Sequence, residues 1–214
     1  MAIPVLIIGK SGSGKSTSLR NCADSFDLIK VMDKPLPFKG KFSSGVSDNY
    51  EVIKKWLTGS KKPSVAIDDA GYLITNQFMR GHSNAGKGNG VFALYNDIGD
   101  SFWSLVHFIT TSLPANKIVY LMMHEDTNDF GEIKPKTIGR LLDEKVCLEG
   151  MFTIVLRSVQ ESGKYHFVTQ SSNGAVSKSP VGMFESLEID NDLKMVDEKI
   201  REYWEIKGDQ NEKV

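Results

Sequence analysis

The stretch Gly9-Lys10-Ser11-Gly12-Ser13-Gly14-Lys15-Ser16-Thr17 meets every required position of the pattern G-x-x-x-x-G-K-[ST]. Each residue type in that pattern has a physical task. Glycines let successive backbone N–H groups turn inward and cradle a phosphate chain, where a larger residue would stand in the way. Lys15 would reach the β- and γ-phosphates, and the Ser16 hydroxyl would hold a Mg²⁺ ion shared with them. A helix starting at the loop would add the positive end of its dipole. The flanks agree with this reading. Ile3-Pro4-Val5-Leu6-Ile7-Ile8 is the apolar run of a strand buried on both faces of a parallel sheet, and residues 17–23 look like a helix start. The expected ligands are a nucleoside triphosphate and Mg²⁺, with residues 9–17 as the cradle and Ser16 and Asp68 as the metal-holding pair.

The composition sets the frame for that motif. A chain of 214 residues with 40% hydrophobic and 25% charged residues is ordinary for a globular α/β domain. No apolar run approaches the length of a membrane span, and the first apolar stretch lacks a basic lead. A cytoplasmic protein that avoids membranes is expected. Cys22 and Cys147 are far apart, in no metal-ligand spacing, and read as buried thiols in a reducing compartment. The net charge is −1, but residues 34–62 carry a net +5 and residues 185–214 a net −5. This polarity is consistent with a basic binding face and an acidic tail, or with an uneven solvated surface.

Strands and helices alternate along the chain. Strand-like runs occupy 27–32, 64–67 and 117–123, and a hairpin is expected from 152–159 and 165–170 around Glu161-Ser162-Gly163-Lys164. Helical periodicity marks 48–57, 91–113 and 195–206. We read 1–190 as the nucleotide-binding domain and 191–214 as a C-terminal helix with a polar tail. Trp56 and Trp103 fall in helical patterns and are expected in the core.

A second chemical signal ends the third strand, where Val65-Ala66-Ile67 runs into Asp68 and Asp69. A Mg-bound triphosphate needs an acid near the phosphate loop, and Asp68 has that place. Asp69 would then orient or deprotonate water, or simply cap the helix that follows. The next strand ends on His124, and this order of parts resembles the RecA/AAA branch of P-loop ATPases. In that branch a polar residue on the fourth strand senses the γ-phosphate. A GTPase would show N-K-x-D, which is missing, and a small-molecule kinase an Arg-rich lid, whereas the five arginines here are scattered.

Several further stretches fall in the order seen in a phage-encoded family. They are Lys34-Pro35-Leu36-Pro37-Phe38-Lys39-Gly40, His124-Glu125, Gly139-Arg140-Leu141-Leu142-Asp143 and Lys178-Ser179-Pro180-Val181-Gly182-Met183-Phe184. With the phosphate loop, they make residues 3–190 resemble the minimal RecA-like ATP-binding proteins that include the single-strand-annealing ATPases of phage recombination modules. The resemblance implies an α/β RecA-like P-loop core, ATP, Mg²⁺, and single-stranded DNA as partner. It also implies a single-strand-binding protein, a homo-oligomer on DNA, and the host cytoplasm as location. His124 would couple the γ-phosphate to a DNA-binding loop at 125–136. Lys178, or Arg140, would reach a neighbouring subunit's nucleotide. In RecA proper a Glu ends the second strand and activates water. Asp33 holds that place here, leaving Asp33 and Asp69 as alternatives.

On its own chemistry, the Gly-rich stretch 80–90 carries Arg80 and Lys87, a grip for a phosphodiester backbone or a plain connector. Residues 125–132 are acidic, with Phe130 placed to stack on a base. The expected activity is ATP hydrolysis, slow or DNA-stimulated. A phosphotransferase and a non-catalytic ATP-gated DNA-binding module are the alternatives.

Overall fold

Alternating aliphatic residues of the first strand, β1 (Ile3–Gly9), dictate the layering of the domain. Successive strand side chains point to opposite faces. Leu6 and Ile8 therefore enter one buried cluster, while Val5 and Ile7 enter another on the far side of the sheet. The computed structural model describes residues 1–206 except 87, 129, 139–145 and 172–173. It is a mixed α/β structure with a mostly parallel central sheet flanked by helices on both faces.

The strands in chain order are β2 (Phe26–Lys30), β3 (Ser44–Val46), β4 (Ser64–Asp68), β5 (Ile118–Thr127), β6 (Ile133–Pro135), β7 (Ile154–Glu161), β8 (Lys164–Val168) and β9 (Glu188–Asp190). Their spatial order is β3-β2-β4-β5-β1-β7-β8-β9, with β6 paired to β5. From β3 to β7 all neighbours are parallel, and β8 and β9 add an antiparallel edge. Strand β5 thus separates the loop-bearing β1 from the acid-bearing β4. The β1–β5 register sets Gly9 opposite His124, so the phosphate loop and the end of β5 share one edge of the sheet. That edge, beyond the carboxyl ends of parallel strands, is where open α/β sheets receive ligands.

Three helices cover the first cluster: α1 (Tyr50–Gly59), α2 (Gly71–Gly81) and α3 (Asn89–Ser112). Asn49 starts α1, its side-chain oxygen accepting from the N–H of Glu51 at 2.9 Å and Val52 at 3.2 Å. The fourth helix, α4 (Leu193–Tyr203), buries Leu193, Val196 and Ile200 against the second cluster. Part of the segment set apart at 191–214 thus packs into the same core as β1.

Several expectations from sequence change in detail. The element after the phosphate loop is a six-residue 3-10 helix, Ser16–Asn21, so the dipole of a full α-helix is missing there. The second strand stops at Lys30 rather than 32, and β5 runs on to Thr127. The three-residue strands β3, β6 and β9 are too short for a periodic signal. Trp56 and Trp103 are not core residues. Trp56 lies against Gly45, whose added Cβ would come within 2.6 Å of the indole, and Trp103 stacks on His107 at 4.8 Å. Cys22 is buried, but Cys147 is exposed, with a left-handed φ of 47°. Among the described residues, no helix is long and apolar enough to cross a membrane.

Candidate functional site

Backbone geometry of the loop explains its glycines first. Gly12 and Gly14 have φ of 78° and 99°, a region that side-chain-bearing residues rarely adopt. Gly9 is excluded from substitution by space instead. A Cβ there would fall 2.4 Å from Ser13 Oγ and 2.6 Å from the Ser158 carbonyl oxygen. Ser158 Oγ donates to the Ser13 carbonyl at 2.7 Å, and Asn191 Nδ2 donates to Ser158 Oγ at 3.1 Å. The loop is therefore braced from β7 and from the residue after β9. Ser13 Oγ and Asn191 Oδ1 are buried and have no hydrogen-bond partner among the described residues. Buried polar atoms without partners are rare and call for a ligand or water.

Lys15 follows Gly14 into the buried centre of the site. Its Nζ donates to the carbonyls of Gly9 at 2.7 Å and Lys10 at 2.8 Å, and lies 3.5 Å from His124 Nδ1. Burial disfavours the ammonium and lowers its pKa to about 8, against the opposing charges of Asp69, Asp68 and Glu125. Ser16 Oγ donates to both carboxylate oxygens of Asp68, at 2.8 and 3.0 Å. Burial, then the neighbouring Asp69 charge, raises the Asp68 pKa, while the Ser16 hydrogen bond and Lys34 work the other way. The Ser16–Asp68 pair supplies two hard oxygen donors in contact, the chemistry that Mg²⁺ prefers. The cradle of glycines, the unpartnered Ser13 hydroxyl as a donor and the Ser16–Asp68 pair together fit a Mg-bound phosphate chain, whereas the Asn191 amide oxygen, an acceptor, calls for a donor such as water.

Asp69 adopts φ of 60° and is only 4% exposed. It is not a helix cap: α2 begins at Gly71 after Ala70, with no side-chain cap. Its Oδ1 lies 3.8 Å from His124 Nε2, and its Oδ2 pairs with Lys34 Nζ at 2.5 Å. His124 therefore stands between Lys15 and Asp69, one ring nitrogen toward each. Burial and then the Lys15 charge lower the His124 pKa, so the neutral ring is favoured. Lys15, Ser16, Thr17, Lys34, Asp69 and His124 line a cavity of about 250 Å³ together with loop glycines and Tyr165.

The other expected residues are placed differently. Asp33 points away from the site, 78% exposed at the side chain and 3.1 Å from Lys30. Of the two carboxylates expected to activate water, only Asp69 is in the site. Lys178 pairs through its backbone with Val155 of β7, opposite Leu6 in mid-sheet and away from the His124 edge. Arg140 and Lys87 lie outside the described residues. Arg80 is held by Asp48, so it is not a free grip for a backbone. The stretch 125–136 is a hairpin rather than a loop: Glu125, Asp126 and Thr127 pair with Pro135, Lys134 and Ile133. Asn128 Oδ1 closes its turn by accepting from the N–H of Phe130 and Glu132, and Phe130 at the tip is 91% exposed.

Sequence reasoning missed Lys34, Tyr165, Ser158, Asn191 and the pairing of Glu125 with Arg157. Arg157 donates from Nε and Nη2 to the two Glu125 oxygens at 2.8 and 2.9 Å, fixing the residue after His124 to β7. These are single polar residues within strands or just beyond them, where only strand order brings them together. Comparison with family models and with curated proteins found no match to this chain.

Proposed function

We propose that this chain is a Mg²⁺-dependent ATPase with a RecA-like core that binds single-stranded DNA and promotes annealing in recombination. The observation that carries this reading is the contact of Ser16 Oγ with Asp68, beside a His124 held between Lys15 and Asp69. The insertion of β5 between β1 and β4 supports the RecA/AAA assignment, because it brings a polar strand end to the γ-phosphate position.

Lys15 and the loop N–H groups bind and orient the phosphates of ATP, the substrate. Ser16 and Asp68 would hold Mg²⁺, which would supply positive charge to the phosphate oxygens. Asp69 accepts a proton from water as its oxygen bonds to the γ-phosphorus. The bond to the β–γ bridging oxygen breaks, and ADP leaves with its electrons. DNA binding is assigned to the β5–β6 hairpin. Its base is tied to His124, whose carbonyl accepts from the N–H of Lys136 at 2.7 Å, and its tip presents Phe130. Asp126 and Glu132 on the hairpin are paired with Lys136 and Lys134, which favours stacking over a strong electrostatic grip.

The deciding test is ATP hydrolysis with Mg²⁺, with and without single-stranded DNA, at low and moderate salt. Stimulation that fades as salt rises is expected. Tight ATP binding with no DNA effect would point to a phosphotransferase or a protein-activated switch. The trans role of Lys178 is tested separately. Lys178→Ala is expected to bind ATP normally and lose DNA-stimulated turnover, and unchanged turnover rejects that role. The pairing of Asp69 with Lys34 favours the ATP-gated, non-catalytic reading as the second choice. An absence of turnover with DNA-dependent ATP binding would select it.

A further inference from the structure

Lys34 is a second ammonium in the phosphate cavity; it opens one of the stretches behind the family resemblance, but neither that stretch nor the phosphate-loop pattern gives it a role. Its backbone follows β2 and is anchored there. Lys30 Nζ donates to the Lys34 carbonyl at 3.1 Å, and the Lys34 N–H donates to the Met32 carbonyl at 2.9 Å. Pro35 follows and restricts the chain further. From this fixed base, a side chain 51% exposed crosses to the buried carboxylate of Asp69. An exposed lysine paired with an exposed acid gains little. Here the acid is enclosed, and the other nearby ammonium, Lys15, is turned toward the Gly9 and Lys10 carbonyls. Lys34 therefore supplies the close counter-charge of Asp69.

The positions along the cavity define what Lys34 can touch. Lys15 marks where the β- and γ-phosphates are held. His124 spans from Lys15 to Asp69, and Lys34 lies beyond on the other Asp69 oxygen. A terminal phosphate entering this arc approaches a buried carboxylate, and like charges so placed repel. The ammonium on a flexible four-carbon stem is the group able to move between them.

We propose that Lys34 reads the γ-phosphate of a nucleoside triphosphate: it leaves or shares Asp69 to bind the terminal phosphoryl oxygens. The exchange frees Asp69 only when a triphosphate is present, while a diphosphate leaves the Lys34–Asp69 pair closed. The inference rests on the ATP-site reading above and adds the element by which that site distinguishes ATP from ADP. Burial opposes the Lys34 ammonium, and the Asp69 carboxylate paired with it outweighs burial and raises its pKa, so the cation is present at neutral pH.

The test measures binding of ADP and of the β,γ-imido analogue of ATP, each with Mg²⁺, to the full chain and to Lys34→Ala and Lys34→Arg. The wild-type protein is expected to prefer the triphosphate. Lys34→Ala should lose roughly 10- to 100-fold in triphosphate affinity, the range of a hydrogen bond to a charged group, and keep ADP affinity within about 2-fold. Lys34→Arg should keep most of the preference, because the cation remains. Retained ADP affinity also shows that the variant is folded. The proposal is overturned if Lys34→Ala loses both ligands equally or neither, or if Lys34→Arg behaves like Lys34→Ala. A wild-type protein that binds neither nucleotide would overturn the phosphate-site reading itself, and this inference with it.

Discussion

Replacing Lys15 by Met is expected to abolish nucleotide binding and, at neutral pH, to stabilise the ligand-free protein. Both effects come from one buried ammonium. Its hydrogen bonds to the Gly9 and Lys10 carbonyls are the contacts a phosphate would displace, and no other ammonium occupies that point. Losing a charge-assisted partner of a multiply charged ligand should cost about 100-fold in affinity or more. Near-wild-type ATP affinity in Lys15→Met or Lys15→Ala would reject the phosphate-loop assignment. The stability gain follows from linkage. The Lys15 pKa falls from 10.5 in the unfolded chain to about 8 in the folded one, chiefly through burial. A group with a depressed lysine pKa binds fewer protons when folded, so it opposes folding fully below pH 8. That penalty is roughly 3 kcal/mol and fades as pH rises from about 8 toward 10.5. Methionine keeps the length of the side chain without the charge. Lost hydrogen bonds offset part of the gain, leaving about 1–3 kcal/mol, or a Tm higher by roughly 3–10 °C for a chain of this size. Thermal melts at pH 7 and pH 10 would check it, the difference narrowing at the higher pH. Equal melting at pH 7 would show that Lys15 is not under this strain.

The same residues show how far sequence reading reaches. The loop, the strand before it and the acids at the end of β4 were legible because each is local: a fixed spacing, an apolar run, a strand-end carboxylate. The mostly parallel sheet followed from alternation of strand and helix over the chain. What could not be read is set by strand order. Gly9 and His124 face each other only because β5 lies beside β1, and Asp69 meets His124 only because β4 lies next to β5. Lys34 opens a stretch quoted for the resemblance, yet nothing local gives it a role or places it in the site ahead of Asp33. Once β2 pairs with β4, Lys34 turns inward to Asp69 while Asp33 turns out to Lys30. The choice between Asp33 and Asp69 was therefore open at the level of sequence and depends on a turn after β2. Likewise, the stretch 125–136 looked like a loop because its pairing partner is only three residues long.

Asp197→Ala is expected to lower stability by about 3–5 kcal/mol while leaving the proposed nucleotide site intact. Asp197 is a buried acid on α4, in a segment that sequence reading set outside the main domain. Its Oδ1 accepts from Ser64 Oγ at 2.5 Å and Tyr120 OH at 3.0 Å, and its Oδ2 from Arg201 Nε at 2.7 Å. Arg201 continues the network to the carbonyls of Asn116 and Pro63, at 2.9 and 3.0 Å. Tyr120 is fully buried in mid-strand and stacks on Phe26 at 5.2 Å. Burial, followed by the charge of Asp197, raises its pKa well above the usual value, so the phenol stays protonated and needs an acceptor. Removing the carboxylate takes the acceptor from a buried phenol and a serine hydroxyl and the counter-charge from Arg201, which keeps its carbonyl partners; together this costs more than the pair's net worth. Since domains of this kind hold about 5–15 kcal/mol in total, Tm should fall by roughly 10 °C or more. Lys199→Ala on the same helix removes an exposed ion pair with Glu202 at 3.0 Å and should change stability by less than about 0.5 kcal/mol. The network joins α4 to the starts of β4 and β5, at the opposite end of these strands from Asp68 and His124. Nucleotide affinity measured well below the lowered Tm should therefore match the wild type. A Tm change no larger than that of Lys199→Ala would mean that α4 is held by its Leu193, Val196 and Ile200 contacts alone.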